Sequence, residues 1–240
     1  MSAGTLTINQ IIVPVFIEVP INIDLAINFL PFKTWVSNVD PNINISKIVI
    51  QSIDMFGSRI GFMKYQVFGK VNGIPLPGVV FSRGNSVAVL PVLKSMTSSQ
   101  RYVICTEQYR MPAGRKMIEI PAGMMDQNGS FVGVAAKEME EETGIIMKQT
   151  DLIELTSDLV YPSIGGCDEG MKIMYYTKDV SDEDLIKLNG KITGCTDENE
   201  VIQLKLIKYE DLHLISDMKA MTAMLLLERK LVCGQIAPHF

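Results

Sequence analysis

Glu138, Glu140, Glu141 and Glu142 place four carboxylates within five consecutive residues, opposed by a single neighbouring cation, Lys137. A helix advances about 100° per residue, so Glu138 and Glu142 share one face, Glu141 flanks them, and Glu140 points elsewhere. Like charges at i and i+4 destabilise an isolated helix, and a cation lying against that face would remove the penalty. Hard divalent ions prefer carboxylate oxygens, and Mg²⁺ in particular takes only a few of them alongside substrate phosphates. By themselves the four glutamates more often describe a solvated acidic surface.

The surrounding residues narrow that choice. Gly123 opens a polar loop through Asp126, Gln127, Asn128 and Gly129, and Gly144 stands at the left-handed stop of the following helix. Loop, helix and stop together resemble the Nudix box, G-x5-E-x7-R-E-U-x-E-E-x-G-U with U apolar. Gly123, Glu138, Met139, Glu141, Glu142, Gly144 and Ile145 match it at the family spacing. Gly129 stands where the box has its first Glu, and Lys137 where it has Arg. Lysine keeps the charge but lacks the planar fork that can hold two carboxylates.

Further segments resemble the ADP-ribose and ADP-sugar pyrophosphatase branch of that family. The run Val103 to Arg110 is similar to its Q-x-R segment, and Glu119-Ile-Pro-Ala-Gly123 to its E-x-P-A-G segment. Pro162-Ser-Ile-Gly-Gly-Cys-Asp-Glu169 is similar to its S-P-G-G-x-x-E loop, with Ile164 where a proline is expected, and Asp197-Glu-Asn-Glu200 to its D-E-N-E segment. Residues 47–84 are similar to plant-type members of the same branch.

This resemblance implies Mg²⁺, with Mn²⁺ as a substitute, held by Glu138, Glu142, the Ala122 carbonyl and Glu200. It also implies Glu198 as general base, and Glu141 as a ligand in some states or an outer partner of the metal. Arg110 becomes a candidate phosphate clamp through its fork of donors, and Arg83 a weaker one. Ser163 and Ile164 lie in the loop expected to face the sugar or base. The implied substrate is a nucleoside diphosphate sugar, ADP-ribose or ADP-glucose, cleaved to AMP and a sugar phosphate; a UDP-sugar, a dinucleotide, or binding without turnover are the alternatives. A pyrophosphate resists hydrolysis because its anionic oxygens repel a nucleophile, and a divalent ion neutralises them.

Other chemistries find little support. His213 and His239 lie outside every matching segment, no G-x-S-x-G elbow is present, and Cys167 has no histidine near it in sequence. With 22 Lys and Arg against 27 Asp and Glu, a net charge of −5 argues against binding nucleic acid by phosphate neutralisation. Cys105, Cys167, Cys195 and Cys233 are scattered without a C-x-x-C pair, which suits a reducing compartment, and we expect the cytoplasm. The first 32 residues carry no Lys or Arg, unlike a secretory signal or transit peptide, and Pro14 and Pro20 interrupt their apolar stretch, so no membrane association is expected.

The elements that must position these residues follow from the pattern. Residues 24–36 read as one or two short helices around Pro31. Strands are expected at 47–56, 60–68, 78–82, 87–93, 102–108, 152–160, 172–177 and 201–208, and 118–121 leads into the loop that opens at Gly123. Asn72-Gly73 marks a hairpin. Ser181 is expected to cap a helix over 181–188, and 215–232 forms a long terminal helix. Mixed strands with a few helices give an α/β class, and the resemblance makes it an α/β/α sandwich with a mixed sheet. Residues 1–78 read as an N-terminal antiparallel β appendage, 79–240 as the Nudix domain, and the apolar N-terminus together with the branch implies a homodimer.

Overall fold

The computed structural model describes residues 2–125, 129–194 and 201–237. The chain forms two compact units, Met1–Asn85 with Tyr161–Gly170, and Ser86–Val160 with Met171–Phe240.

The first unit is built on one sheet. Strands β1 (Ser2–Ile8) and β2 (Ile11–Ile17) form a hairpin whose turn residues, Asn9 and Gln10, both take positive φ. Two short helices, α1 (Ile23–Ile27) and α2 (Leu30–Ser37), carry the chain over to β3 (Asn44–Phe56), so β2 and β3 run parallel, as a crossover of that length allows. Antiparallel pairing then resumes through β4 (Arg59–Val71), β5 (Ile74–Pro75) and β6 (Val79–Ser82). The expected Asn72-Gly73 turn is present, with both residues at positive φ. Alternate residues of β3 and β4, among them Ile48, Ile50, Met63 and Tyr65, pack on Phe32 and Trp35 of α2.

The second unit is a helix–sheet–helix sandwich. Its mixed sheet runs β11 (Ile153–Glu154), β12 (Met171–Val180), β7 (Ser86–Ser95), β8 (Arg101–Arg110), β14 (Ile202–Lys208), β13 (Ile192–Thr193), with β12 parallel to β7. Side-chain alternation along β7 builds both cores. Ala88, Leu90 and Val92 join Ala220, Ala223 and Leu227 of α5 (Met218–Val232), while Val87, Val89 and Leu93 join Val134 and Ala135 of α3 (Phe131–Glu138) and Leu185 of α4 (Asp182–Leu188). Such a strand, covered on both faces, reads as a continuous apolar run.

Several element ends differ from expectation. The strand expected over 152–160 shrinks to Ile153–Glu154, with Val160 making only an isolated bridge to Met171, because Ser157 and Asp158 turn the chain. The terminal helix begins at Met218, where the Asp217 side chain accepts the Lys219 N–H and caps it. Ser181 caps α4 as expected, accepting the Asp184 N–H at 3.1 Å.

Candidate active site

Strands β7 and β8 pair directly only at Val92–Lys94 with Arg101–Val103. Beyond that point they separate, and β9 (Arg115–Glu119) pairs with β8 while β10 (Ala122–Met124) pairs with β7. The chain therefore crosses from one strand to the other at Ile120-Pro121. Pro121 donates nothing, and its carbonyl accepts the Val89 N–H at 2.9 Å. In an antiparallel ladder the next residue, Ala122, directs its N–H and C=O away from β7.

The acidic helix meets the strand there. Ser130 caps α3 by accepting the Gly133 N–H at 3.0 Å, and Val134, Ala135 and Met139 bury the helix against the sheet. Glu142, buried at 4% exposure, accepts the Ala122 N–H at 3.2 Å through Oε2. The Glu138 carboxyl lies against the α-carbon of Gly123, where any Cβ would overlap it. Two carboxylates four residues apart thus converge on consecutive residues of β10.

The helix does not stay α-helical across this face. After Glu138 it widens into a π-helical turn, Met139–Thr143, a local expansion frequent at functional sites. The Thr143 hydroxyl donates to the Met139 carbonyl, Gly144 closes the turn at φ 76°, and the Thr193 hydroxyl donates to the Glu142 carbonyl. Glu141 is exposed and pairs with Lys137 at 3.4 Å.

Arg110, at the end of β8, is anchored by Glu119. Its Nε lies 2.7 Å from Oε1, and its Nη2 3.5 Å from Oε2. Lys219 donates to the same Oε2 at 2.9 Å and lies 2.9 Å from Asp217 Oδ1. Burial alone would raise the Glu119 pKa, but Arg110 and Lys219 outweigh it and hold the carboxyl below its ordinary value. For Lys219 burial acts to lower the pKa, and Asp217 and Glu119 reverse it, so the ammonium stays charged above its ordinary range. Asp217 Oδ2 also accepts the Ile120 N–H at 2.9 Å. An N-cap aspartate before an apolar run is readable from sequence; that its second oxygen serves a strand 97 residues away is not.

Arg83, Ser163 and Ile164 belong to the first unit. Asp168 joins β6 to the glycine loop, accepting the Arg83 N–H at 2.9 Å, the Gly84 N–H at 3.2 Å and the Ser82 hydroxyl. Arg83 pairs with Glu169 at 3.3 Å, the Ser163 carbonyl accepts the Gly166 and Cys167 N–H groups, and Ile164 is exposed. Glu198 and Glu200, the expected base and additional ligand, lie outside the described residues, as do Asp126, Gln127 and Asn128.

The residues present fit a hard divalent cation. Two carboxylates converge on a backbone segment whose carbonyl is turned to the same side, and Mg²⁺ characteristically uses one or two carboxylates, completing its shell with water and substrate phosphate. Among the described residues no group of three or more His, Cys, Asp or Glu side chains forms a metal cluster by itself.

Known proteins resemble much of this chain. Residues 83–226 match the NUDIX domain. Nudix hydrolase 14, chloroplastic, of Arabidopsis thaliana is 40% identical over 205 residues, covering 78% of this chain and 66% of that protein. ADP-ribose pyrophosphatase of Escherichia coli K12 is 32% identical over 136 residues, covering 55% and 58%. The chain thus spans two thirds or less of the length of these relatives. A crystal structure of an ADP compounds hydrolase shares the fold, with a TM-score of 0.55 at 17% identity over 83% of this chain and 98% of that one. The matched span takes in the strand crossing at Pro121, the glutamate helix and the glycine loop together, and the chain belongs to the Nudix family.

Proposed function

We propose that the protein is an Mg²⁺-dependent pyrophosphatase that hydrolyses an ADP-sugar, ADP-ribose or ADP-glucose, to AMP and a sugar phosphate. The observation that carries this reading is the convergence of Glu138 and Glu142 on Ala122-Gly123. The names of the Escherichia coli relative and of the structural neighbour support an ADP-containing substrate.

In this reading Glu138, Glu142, the Ala122 carbonyl and Glu200 hold the cation, which supplies charge neutralisation at the pyrophosphate oxygens. Glu198 accepts the proton of the attacking water as its oxygen bonds to one phosphorus and the bridging P–O bond breaks. Glu141 acts from the edge of the acidic face. Arg110, oriented by Glu119, binds a phosphate through its guanidinium. Arg83, Ser163 and Ile164 contact the nucleotide sugar.

Product analysis in ¹⁸O water over a panel of nucleoside diphosphate sugars, with Mg²⁺ and with Mn²⁺, tests the reading. AMP from ADP-sugars alone supports it; preferential cleavage of a UDP-sugar or dinucleotide overturns the substrate assignment. A binding protein without turnover is the second reading, favoured by Gly129 and by Lys137, which engages Glu141 as a point charge rather than through a guanidinium fork. Calorimetric binding of ADP-ribose without AMP release would establish it. We expect the cytoplasm, whereas the name of the Arabidopsis relative specifies a plastid; imaging of the tagged chain separates the two.

A further inference from the structure

The strand crossing at Ile120-Pro121 poses a polar problem. β9 ends its pairing with β8 at Glu119–Thr106, and β10 begins pairing with β7 at Ala122–Ala88, so the Ile120 N–H falls between two ladders. Ile120 is 1% exposed, and a buried N–H without an acceptor is costly. Asp217 Oδ2 receives it at 2.9 Å from the N-terminus of α5. The other oxygen of the same carboxylate caps α5 and holds Lys219, which reaches Glu119, the anchor of Arg110.

Each polar contact along this crossing has a different source. Thr106 donates to the Glu119 carbonyl at 3.3 Å, Asp217 takes the Ile120 N–H, Val89 donates to the Pro121 carbonyl, and Glu142 takes the Ala122 N–H. Of these, only Asp217 comes from the helix on the opposite face of the sheet from α3. An aspartate used merely as a cap needs one oxygen, whereas this one divides its two oxygens between a helix end and the strand that meets the glutamates.

From this arrangement we infer that Asp217 is a positioning residue for the cation site. It fixes where the chain crosses from β8 to β7, and through that the presentation of Ala122 and Gly123 to Glu142 and Glu138. Its link to Lys219 and Glu119 couples the same crossing to Arg110. The inference rests on the proposed cation-dependent pyrophosphatase, and the test separates the two.

Asp217→Ser is the discriminating variant, because serine caps a helix about as well as aspartate but is too short to serve both the cap and the Ile120 N–H. Mn²⁺ affinity is measured by electron paramagnetic resonance without substrate, beside thermal melting and the metal concentration for half-maximal AMP release. The expected result is roughly tenfold weaker Mn²⁺ binding, the size of effect seen for outer-shell partners of metal ligands, and a matching rise in the metal requirement. Wild-type Mn²⁺ affinity in Asp217→Ser, whatever its melting temperature, overturns the inference. Should that variant fail to fold, Asp217→Thr replaces it, since threonine also caps a helix and is equally short; unchanged Mn²⁺ affinity there overturns the inference equally. A wild-type protein that binds no Mn²⁺ and releases no AMP refutes the pyrophosphatase reading itself.

Discussion

Glu142 carries two duties, and a single atom replacement separates them. Its Oε2 accepts the Ala122 N–H, which glutamine can still do through its amide oxygen, but glutamine lacks the negative charge a cation requires. Glu142→Gln is therefore expected to keep its circular dichroism spectrum and melting profile while AMP release from ADP-ribose falls by at least roughly 100-fold, beyond what outer-shell changes cause. Unchanged turnover would remove Glu142 from the site. Gly123→Ala approaches the same site sterically: its methyl group would displace the Glu138 carboxyl, and Mn²⁺ affinity measured by paramagnetic resonance should fall with it. The glutamate spacing was readable because i and i+4 geometry is local. Glu119 opens the E-x-P-A-G segment, yet its role depends on Lys219, 100 residues away, and no local pattern announces that pairing.

At the scale of elements, the acidic helix was legible as a helix with a glycine stop but not as one that changes pitch. The π-helical turn is stabilised by the hydroxyls of Thr143 and Thr193, and the second arrives from β13, which only tertiary structure brings near. Thr193→Val removes that donor, with an expected loss of about 1 kcal/mol in denaturant unfolding. The Arg110–Glu119–Lys219–Asp217 chain ties β8 and β9 to α5, and its pH behaviour follows from the shifts. Glu119 is held below its ordinary value of 4.5, so its contribution is complete above that pH and is lost as pH falls through the lower folded value. Lys219 is held above 10.5, so its contribution is complete below that pH and is lost only as pH rises through the higher folded value. Thermal melting should show this network's contribution at a plateau between those limits. Lys219→Met should cost about 3 kcal/mol on the plateau, because it leaves buried carboxylates without their shared cation. A melting temperature equal to wild type would show that the network contributes nothing.

For the whole molecule, the long apolar and alternating strands made the α/β class readable, and the two-sided burial of β7 turned it into a sandwich. The parallel pairing of β2 and β3 was not readable, since strand direction depends on where the intervening helices lead the chain. Nor was the membership of residues 161–170 in the first unit, which lie in sequence between β11 and β12 but bond to β6 through Asp168. The first unit also exposes apolar side chains around β5 and the start of β6, where Ile74 is 67% and Val79 50% accessible, with Leu76 beside them; further along β6 the outer side of Phe81 is already bonded to Gly166 and Asp168. Edge strands of this kind invite pairing with another chain, and contiguous apolar exposure marks association surfaces. The homodimer expected from the sequence is accordingly proposed to use this edge. Analytical ultracentrifugation should give twice the 26.7 kDa chain mass, and the double variant Leu76→Glu, Val79→Glu should sediment as a single chain with its melting profile retained. A wild-type chain that sediments alone at micromolar concentration refutes the dimer. A double variant that stays dimeric keeps the dimer but moves its interface away from this edge.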